Sequence, residues 1–342
     1  MPKVAINLVT WNGEKYIDDC LDSIIKQTFS DYLLLLVDNG SVDKTLQHIE
    51  EKYLPLLQGK IRLVKNKSNL GFARAHNQAI LWTDSEYVMV LNQDVILEPD
   101  YLAKVAEFMD THKNCASVTG KILRWDFTNS EELKSSTKSD QIDSLGLKIF
   151  KNQRVIEIAS GEKDEGQYQE VQEIFGVSGT CSVYRRKALA DIRYGDEFFD
   201  NDFFSYKEDV DLAYRLRWRS WSSFYLPQAV AYHDRTAKSQ EKLTDFGVIK
   251  LRRYKAQYIN YHSYKNHLFL LKKNLSPKLF FSCFFQILFY ELKKFIYVLI
   301  LEPASLKAWA EYCRQKKVFK RKRSFVMKNR LIKDEDMRRW FN

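Results

Sequence analysis

The feature that most constrains this chain is the unbroken apolar run Leu33-Leu34-Leu35-Leu36-Val37, followed at once by Asp38-Asn39-Gly40-Ser41. A strand that is apolar at every position must be covered on both faces, which in practice means a parallel sheet with helices above and below it. Val4–Thr10, Ile61–Lys65, Tyr87–Leu91 and Ala116–Gly120 read as further strands, separated by helical stretches at Glu14–Gln27, Lys44–Tyr53, Phe72–Trp82 and Pro99–His112. Alternation of this length predicts a Rossmann-like α/β fold with a doubly wound, mostly parallel sheet. Gln169–Arg186 and Ser223–His233 read as additional strands, with a helix over Glu208–Arg219 between them. Residues 125–145 are rich in Asn, Ser, Thr and Lys without any period, and read as a mobile surface loop. After about Thr236 the alternation stops and aromatic-rich helical sequence follows, so the chain divides into expected regions 1–240 and 241–342.

Three polar clusters fall at the carboxyl ends of expected parallel strands: Thr10-Trp11-Asn12, Asp38-Asn39-Gly40-Ser41 and Asn92-Gln93-Asp94. In an open α/β sheet the ligand crevice lies outside those ends. Each cluster alone is also what an ordinary turn contains; three at equivalent strand ends point to a site. No Gly-x-Gly-x-x-Gly follows the first strand, and no Gly-x-x-x-x-Gly-Lys-Ser/Thr occurs anywhere. Glycine-rich phosphate binding is therefore excluded. A divalent cation (Mg²⁺ or Mn²⁺) on Asp94 is the economical substitute, because hard cations take oxygen ligands and bridge phosphates.

In this order the motifs resemble the family 2 glycosyltransferases, inverting enzymes of the GT-A fold. The resemblance rests on Asn12, Val37 through Thr45, Asn69-Leu70-Gly71-Phe72-Ala73 and Leu91-Asn92-Gln93-Asp94. It continues through Gly179, Arg185-Arg186, Phe198-Phe199-Asp200, Phe203 through Leu212 and Pro227 through His233, covering roughly residues 3–240. It implies a nucleotide-sugar half at about 1–120 and an acceptor half at about 121–240. Asp38 then reads the donor's base, with Thr10, Trp11, Asn12 and Asn39 beside it, and Asn69, Gly71, Asn92 and Gln93 line the donor. Asp94 and His233 take the metal. Asp209 is the general base that deprotonates the acceptor hydroxyl, with Glu208, Phe204 and Gly179 on the acceptor side.

The residues also admit plainer readings. Ser205-x-x-Glu208 has the form of a capping box, Asp211 that of a helix-start charge, and His233 that of an ordinary strand-end histidine. Trp11 either stacks on the donor base or packs. The sequence departs from the family pattern at Asn92, where the first carboxylate of Asp-x-Asp is usual, and at Ser220, where glycine is usual. Gln-x-x-Arg-Trp is absent, since Met337-Arg338-Arg339-Trp340 lacks the glutamine; the expectation is one sugar per encounter. Including Asp164-Glu165-Gly166-Gln167-Tyr168, the pattern looks most like bacterial rhamnosyltransferases. That resemblance implies dTDP-rhamnose as donor and a glycan or polyprenyl-diphosphate-linked glycan as acceptor, with galactose, N-acetylglucosamine and galactofuranose as alternative sugars. Residues 125–150 and 198–206 are expected to shape the acceptor site.

Charge separates the C-terminal region from the rest. Pro303–Asn342 carries 13 Lys/Arg against 4 Asp/Glu, nine of the ten net positive charges. Leu279–Leu301 is strongly apolar but interrupted by Glu291, Lys293 and Lys294, so a transmembrane span is not expected. An apolar helix followed by Arg314 through Arg323 is expected to dock on an anionic membrane surface; the alternative is packing on the catalytic region. No nucleic-acid module accompanies the basic tail, so no specific nucleic acid is expected. The chain enters a strand at once without a signal-peptide pattern. Its five cysteines show no disulfide or metal spacing, and the expected place is the cytoplasm, at the inner face of a bacterial-type membrane. The remaining rivals are a non-catalytic nucleotide-sugar or glycan-binding relative and a basic membrane or nucleic-acid adaptor.

Overall fold

The computed structural model describes residues 1–125, 138–234 and 257–341. Its main sheet runs β10-β12-β6-β11-β4-β1-β2-β3, with β1 Val4–Thr10, β2 Tyr32–Asp38, β3 Ile61–Lys65, β4 Tyr87–Asn92, β6 Cys115–Trp125, β10 Gln172–Glu173, β11 Cys181–Arg185 and β12 Ser222–His233. β1, β2, β3 and β4 are mutually parallel, and β12 is parallel to β6. β11 runs antiparallel between β4 and β6. Two short strands complete this sheet: β5 (Val95–Leu97) pairs with β12, and β7 (Lys138–Ser144) with β6. β8 (Leu147–Ile149) and β9 (Val155–Glu157) form a separate hairpin.

The apolar run behaves as its sequence demands. Leu34 and Leu36 join the core formed with α1 (Ile17–Ile25), while Leu33, Leu35 and Val37 face α2 (Phe72–Leu81) through Ala75 and Ala79. Successive strand residues point to opposite faces, so a run apolar throughout needs both helical layers. α3 (Tyr101–Thr111) covers the α1 face beside β6 and β12. α4 (Arg186–Asp191) and α5 (Glu208–Trp218) lie on the other face.

Two expectations change. Of the loop expected at 125–145, residues 126–137 lie outside the described residues, but Lys138–Ser144 is a strand. Its polar sequence, Lys-Ser-Asp-Gln-Ile-Asp-Ser, hides a strand that exists because β6 pairs with it; tertiary pairing overrides weak local preference. The single strand expected over Gln169–Arg186 is instead split into β10 and β11. Between them the chain crosses α5 at Gly176, where an added Cβ would lie 2.3 Å from the Ala213 Cβ.

The C-terminal region is helical as expected, with α6 (Gln257–Asn274), α7 (Pro277–Ser282), α8 (Phe284–Leu301), α9 (Lys307–Lys328) and α10 (Asp334–Arg338). It shares a core with the catalytic region: Phe203, Val210, Tyr214 and Trp218 pack with Phe269, Leu270, Phe319 and Phe341. The boundary expected at residue 240 lies outside the described residues. No described helix is long and apolar enough to cross a membrane.

Candidate active site

The strand order places the crevice. β2 and β3 extend the sheet on one side of β1, and β4 starts the other side, so the winding reverses between β1 and β4. Thr10 pairs with Asp38 and Val9 with Asn92, which brings all three polar clusters to one level at that reversal. Asn39 ties the loops together. Its amide nitrogen donates to Asn69 Oδ1 (2.9 Å), its Oδ1 accepts from Leu70 N (3.1 Å), and Asn69 Oδ1 accepts from Gly71 N (2.8 Å). Asn12, at φ +49°, accepts from Val42 N and so fastens the first loop to the second; asparagine tolerates the left-handed region well. Asp38 is buried and lies in reach of Ser41 N at 3.3 Å.

Gln93 has an inward task. Its Oε1 accepts from Thr10 Oγ1 and Trp11 N, and its Nε2 donates to Trp11 O. The side chain therefore braces the loop that carries Trp11. The indole itself is 50% exposed, so Trp11 is no core packer and remains available at the crevice mouth.

Asp94 and His233 meet because β5 pairs with β12, setting Val95 opposite His233. Asp94 Oδ2 lies 3.4 Å from His233 Nε2, and Asp94 Oδ1 is buried without a partner among the described residues. On its other side, His233 Nδ1 is 2.9 Å from Oδ2 of Asp143, a fully buried β7 residue that the sequence analysis missed. Burial works against a charged ring, but the Asp94 charge and the hydrogen bonds to Asp143 and Asp94 push the His233 pKa up to about 10. Among the described residues no three His, Cys, Asp or Glu side chains form a complete metal cage. The orphaned Asp94 oxygen beside a histidine nitrogen nonetheless fits a cation that would displace the proton from Nε2 and take its other ligands from a diphosphate.

Asp209 is held by two backbone donors, Gly179 N to Oδ2 (3.1 Å) and Val210 N to Oδ1 (2.7 Å). The next residue after Gly179, Thr180, accepts from Asn92 N (2.9 Å), so this carboxylate stands beside the end of β4. Burial pushes the Asp209 carboxyl up from its usual value, against the opposing effect of those N–H groups. Glu208 is buried with Oε2 unpartnered, and burial plus the Asp209 charge push it well above the carboxylate range.

The expected capping box does not form. Phe204, Tyr206 and Lys207 all have φ between +65° and +71°, Lys207 is the N-cap, and Glu208 is the first helical residue instead of the third. Glu208 is thereby released from capping and faces the interior. The same turn reaches the segment at Gly71: Phe204 O accepts from Ala73 N (3.3 Å), and a Cβ on Gly71 would lie 2.6 Å from that oxygen. Gly71 itself sits at φ +82°. Phe204 stacks on His262 of α6, so this aromatic is backed by the C-terminal region.

Asp211 is not a solvated helix-start charge. It is fully buried, with Oδ2 accepting from Lys273 Nζ (2.9 Å) and Arg215 Nε (2.8 Å), and Oδ1 from Asn274 (2.8 Å). Lys273 also bonds Asp200 (2.6 Å), which Lys322 holds from its other oxygen (2.6 Å). Asn266 of α6 gives its amide to the carbonyls of Phe203, Ser205 and Tyr206 (2.7–2.9 Å). The turn that precedes Glu208 and Asp209 is therefore tied to C-terminal side chains that no local sequence pattern marks.

The family model described as glycosyl transferase family 2 matches residues 6–193. An N-acetylglucosaminyl-diphospho-decaprenol L-rhamnosyltransferase of Mycobacterium tuberculosis is 26% identical over 249 residues, 68% of this chain and 75% of that protein. An uncharacterized glycosyltransferase of Haemophilus influenzae is 29% identical over 117 residues, 34% of this chain. The match spans only 36% of that relative's length. Among solved structures, a mannosyltransferase of Pyrobaculum calidifontis in complex with GDP-Man and Mn²⁺ superposes with a TM-score of 0.51 at 16% identity, covering 96% of this chain and 86% of that one. At that identity the likeness is one of fold.

Proposed function

The chain belongs to glycosyl transferase family 2, and from that premise we propose that it is an inverting, non-processive glycosyltransferase in which Asp209 is the general base. The observation that carries this reading is the placement of Asp209. A carboxylate gripped by two backbone N–H groups stands beside the β4 end, where Asp94 and His233 converge. Asp209 takes the proton of an acceptor hydroxyl as its oxygen attacks the anomeric carbon, a role worth about 10²–10⁴-fold in rate. Asp38, Asn12 and Trp11 hold the nucleoside, and the Asn69–Gly71 segment and the β4 end hold the sugar diphosphate. Asp94 and His233 would hold a divalent cation together with the diphosphate. That cation would neutralise charge growing on the departing nucleotide.

Rhamnose from dTDP-rhamnose is the proposed donor sugar and a lipid-linked glycan the proposed acceptor, supported by the name of the mycobacterial relative and the aromatic turn at Phe198–Tyr206. The expected result is release of nucleoside diphosphate from one member of a nucleotide-sugar panel, dependent on Mg²⁺ or Mn²⁺ and abolished by EDTA. Turnover unaffected by exhaustive chelation would remove the cation from the proposal. No turnover with any donor and acceptor would favour a binding relative.

The proposed place of action is the inner face of the cell membrane, with the protein bound peripherally. α8 packs inward through Ile287, Val298 and Tyr297, and through Glu291, which pairs with His267. Outward it leaves Phe285, Phe289, Leu292, Ile296 and Ile300 exposed, 45–79% each. A single face this apolar is unusual on a soluble surface. Phe295 meets Trp309 at the start of α9, and Arg314, Lys316, Lys317, Lys320 and Arg321 of that helix are exposed, supplying charge for anionic headgroups at about 1 kcal/mol each. The expected result is that Phe285→Glu with Phe289→Glu weakens binding to phosphatidylglycerol-containing vesicles at least about tenfold, since two buried phenyl groups contribute about 3 kcal/mol or more. Undiminished co-sedimentation of the double variant would rule out α8 as the docking face.

A further inference from the structure

We propose that Asp143 is the positioning residue of the cation site: it fixes the His233 ring so that Nε2 is presented beside Asp94. The proposal rests on the cation reading above.

The backbone places Asp143 deliberately. Along the β6–β7 ladder Ile122 pairs with Ser144 and the next residue, Leu123, with Ile142, so Asp143 has no opposite number on β6 between those two pairs. It is the extra residue of a bulge, and bulges beside active sites re-aim a side chain that regular pairing would send elsewhere. Here the re-aimed carboxylate reaches a histidine on another strand 90 residues away in sequence.

The chemistry of the contact fixes the ring. An ionised carboxylate only accepts hydrogen bonds, so the proton between Asp143 and His233 belongs to Nδ1. With Nδ1–H engaged, Nε2 is the nitrogen that faces Asp94 at 3.4 Å. A carboxylate behind a ligating imidazole selects the tautomer, holds the ring plane and raises the basicity of the ligating nitrogen. This assistance counts for more here than in a complete cage, because Asn92 stands where a second carboxylate is usual and Asp94 and His233 are left as the protein's ligands. The Asp143 side chain is 1% exposed, so water is kept from competing for Nδ1.

If Asp143 were only a buried partner for charge, its loss would lower stability without acting through the histidine. The distinguishing experiment is a Mn²⁺ titration of the full chain by electron paramagnetic resonance, with UDP and, in parallel, dTDP present. The proteins compared are wild type, Asp143→Asn, His233→Ala, the double variant and Asp94→Ala. Asp143→Asn is expected to weaken Mn²⁺ binding about 10–100-fold, and the double variant to bind no more weakly than His233→Ala alone. Should the Asn variant fail to fold, Asp143→Glu, which keeps the charge but displaces the carboxylate by one methylene, is expected to show the same weakening. Wild-type affinity in a folded Asp143 variant, with Asp94→Ala losing Mn²⁺, would overturn the proposal and leave the cation site standing. Losses at Asp143 and His233 that multiply in the double variant would overturn it as well. Wild-type affinity in Asp94→Ala would overturn the cation site itself, and the role of Asp143 with it.

Discussion

Asp209→Asn is expected to lower kcat by about 10²–10⁴-fold, with donor affinity within a few-fold of wild type. The substitution keeps the shape of the side chain and removes the base. It carries a local cost that is predictable from the contacts. Both Asp209 oxygens accept from backbone N–H groups, and an amide offers one oxygen, so either Gly179 N or Val210 N loses its acceptor. A thermal shift should report that loss separately, on the order of 1–3 kcal/mol. The wild-type pH profile gives a second check. Burial raises the Asp209 pKa, so the active, ionised form is present above that raised value and activity falls as pH drops through it. The acid limb should therefore lie above the ordinary carboxylate range, and the residual activity of the Asn variant should lack it. A kcat within threefold of wild type would sink the assignment of the base.

What could be read in the sequence and what could not divides along a physical line. That Asp38, Asn92 and Asp94 come to one edge was legible because strand ends in a parallel sheet share it, and periodicity locates the ends. Asp209, the proposed base, was singled out by a string of motifs in fixed order. Asp143 was not, because its strand has no apolar alternation and is created by pairing with β6. The capping-box pattern at Ser205 and Glu208 misled for a related reason: three residues with positive φ, in a turn whose Phe203, Ser205 and Tyr206 carbonyls accept from Asn266 of a distant helix, shift the helix start by two positions. Gln93 looked like a donor ligand from its position, yet it spends both ends of its amide on Thr10 and Trp11. Local pattern reports which residues are near a site; it does not report which atoms are already engaged.

The largest stability effect is expected from Lys273→Met, which keeps the stem and removes the charge. Lys273 Nζ lies between Asp200 and Asp211, both fully buried and 62 to 73 residues distant in sequence. Breaking a buried ion pair from one side strands the other charge and costs about 3–5 kcal/mol. Two features pull the expected value toward the lower end, since Lys322 still pairs with Asp200, and Arg215 and Asn274 with Asp211. About 3 kcal/mol, or roughly 4 °C in Tm for a chain of this length, is the expected loss, and less than 1 kcal/mol would contradict it. The pH dependence supplies an independent sign. Burial alone would raise the Asp200 pKa, but Lys273 and Lys322 hold it well below the usual carboxylate range. A pKa lower in the folded than in the unfolded state contributes stability that is complete above the unfolded value and is lost as pH falls toward the folded one. Wild type should therefore lose stability on acidification below about pH 4, and Lys273→Met should lose less over the same interval because it starts with less to lose. The consequence for function follows from position. Asp200 precedes the turn and Asp211 follows Asp209, the proposed base, by two residues, so C-terminal lysines clamp both flanks of Asp209. A helical region that carries the exposed apolar face of α8 is thus wired by buried charge to the segment around Asp209, and removing it should cost that turn its geometry along with any membrane contact.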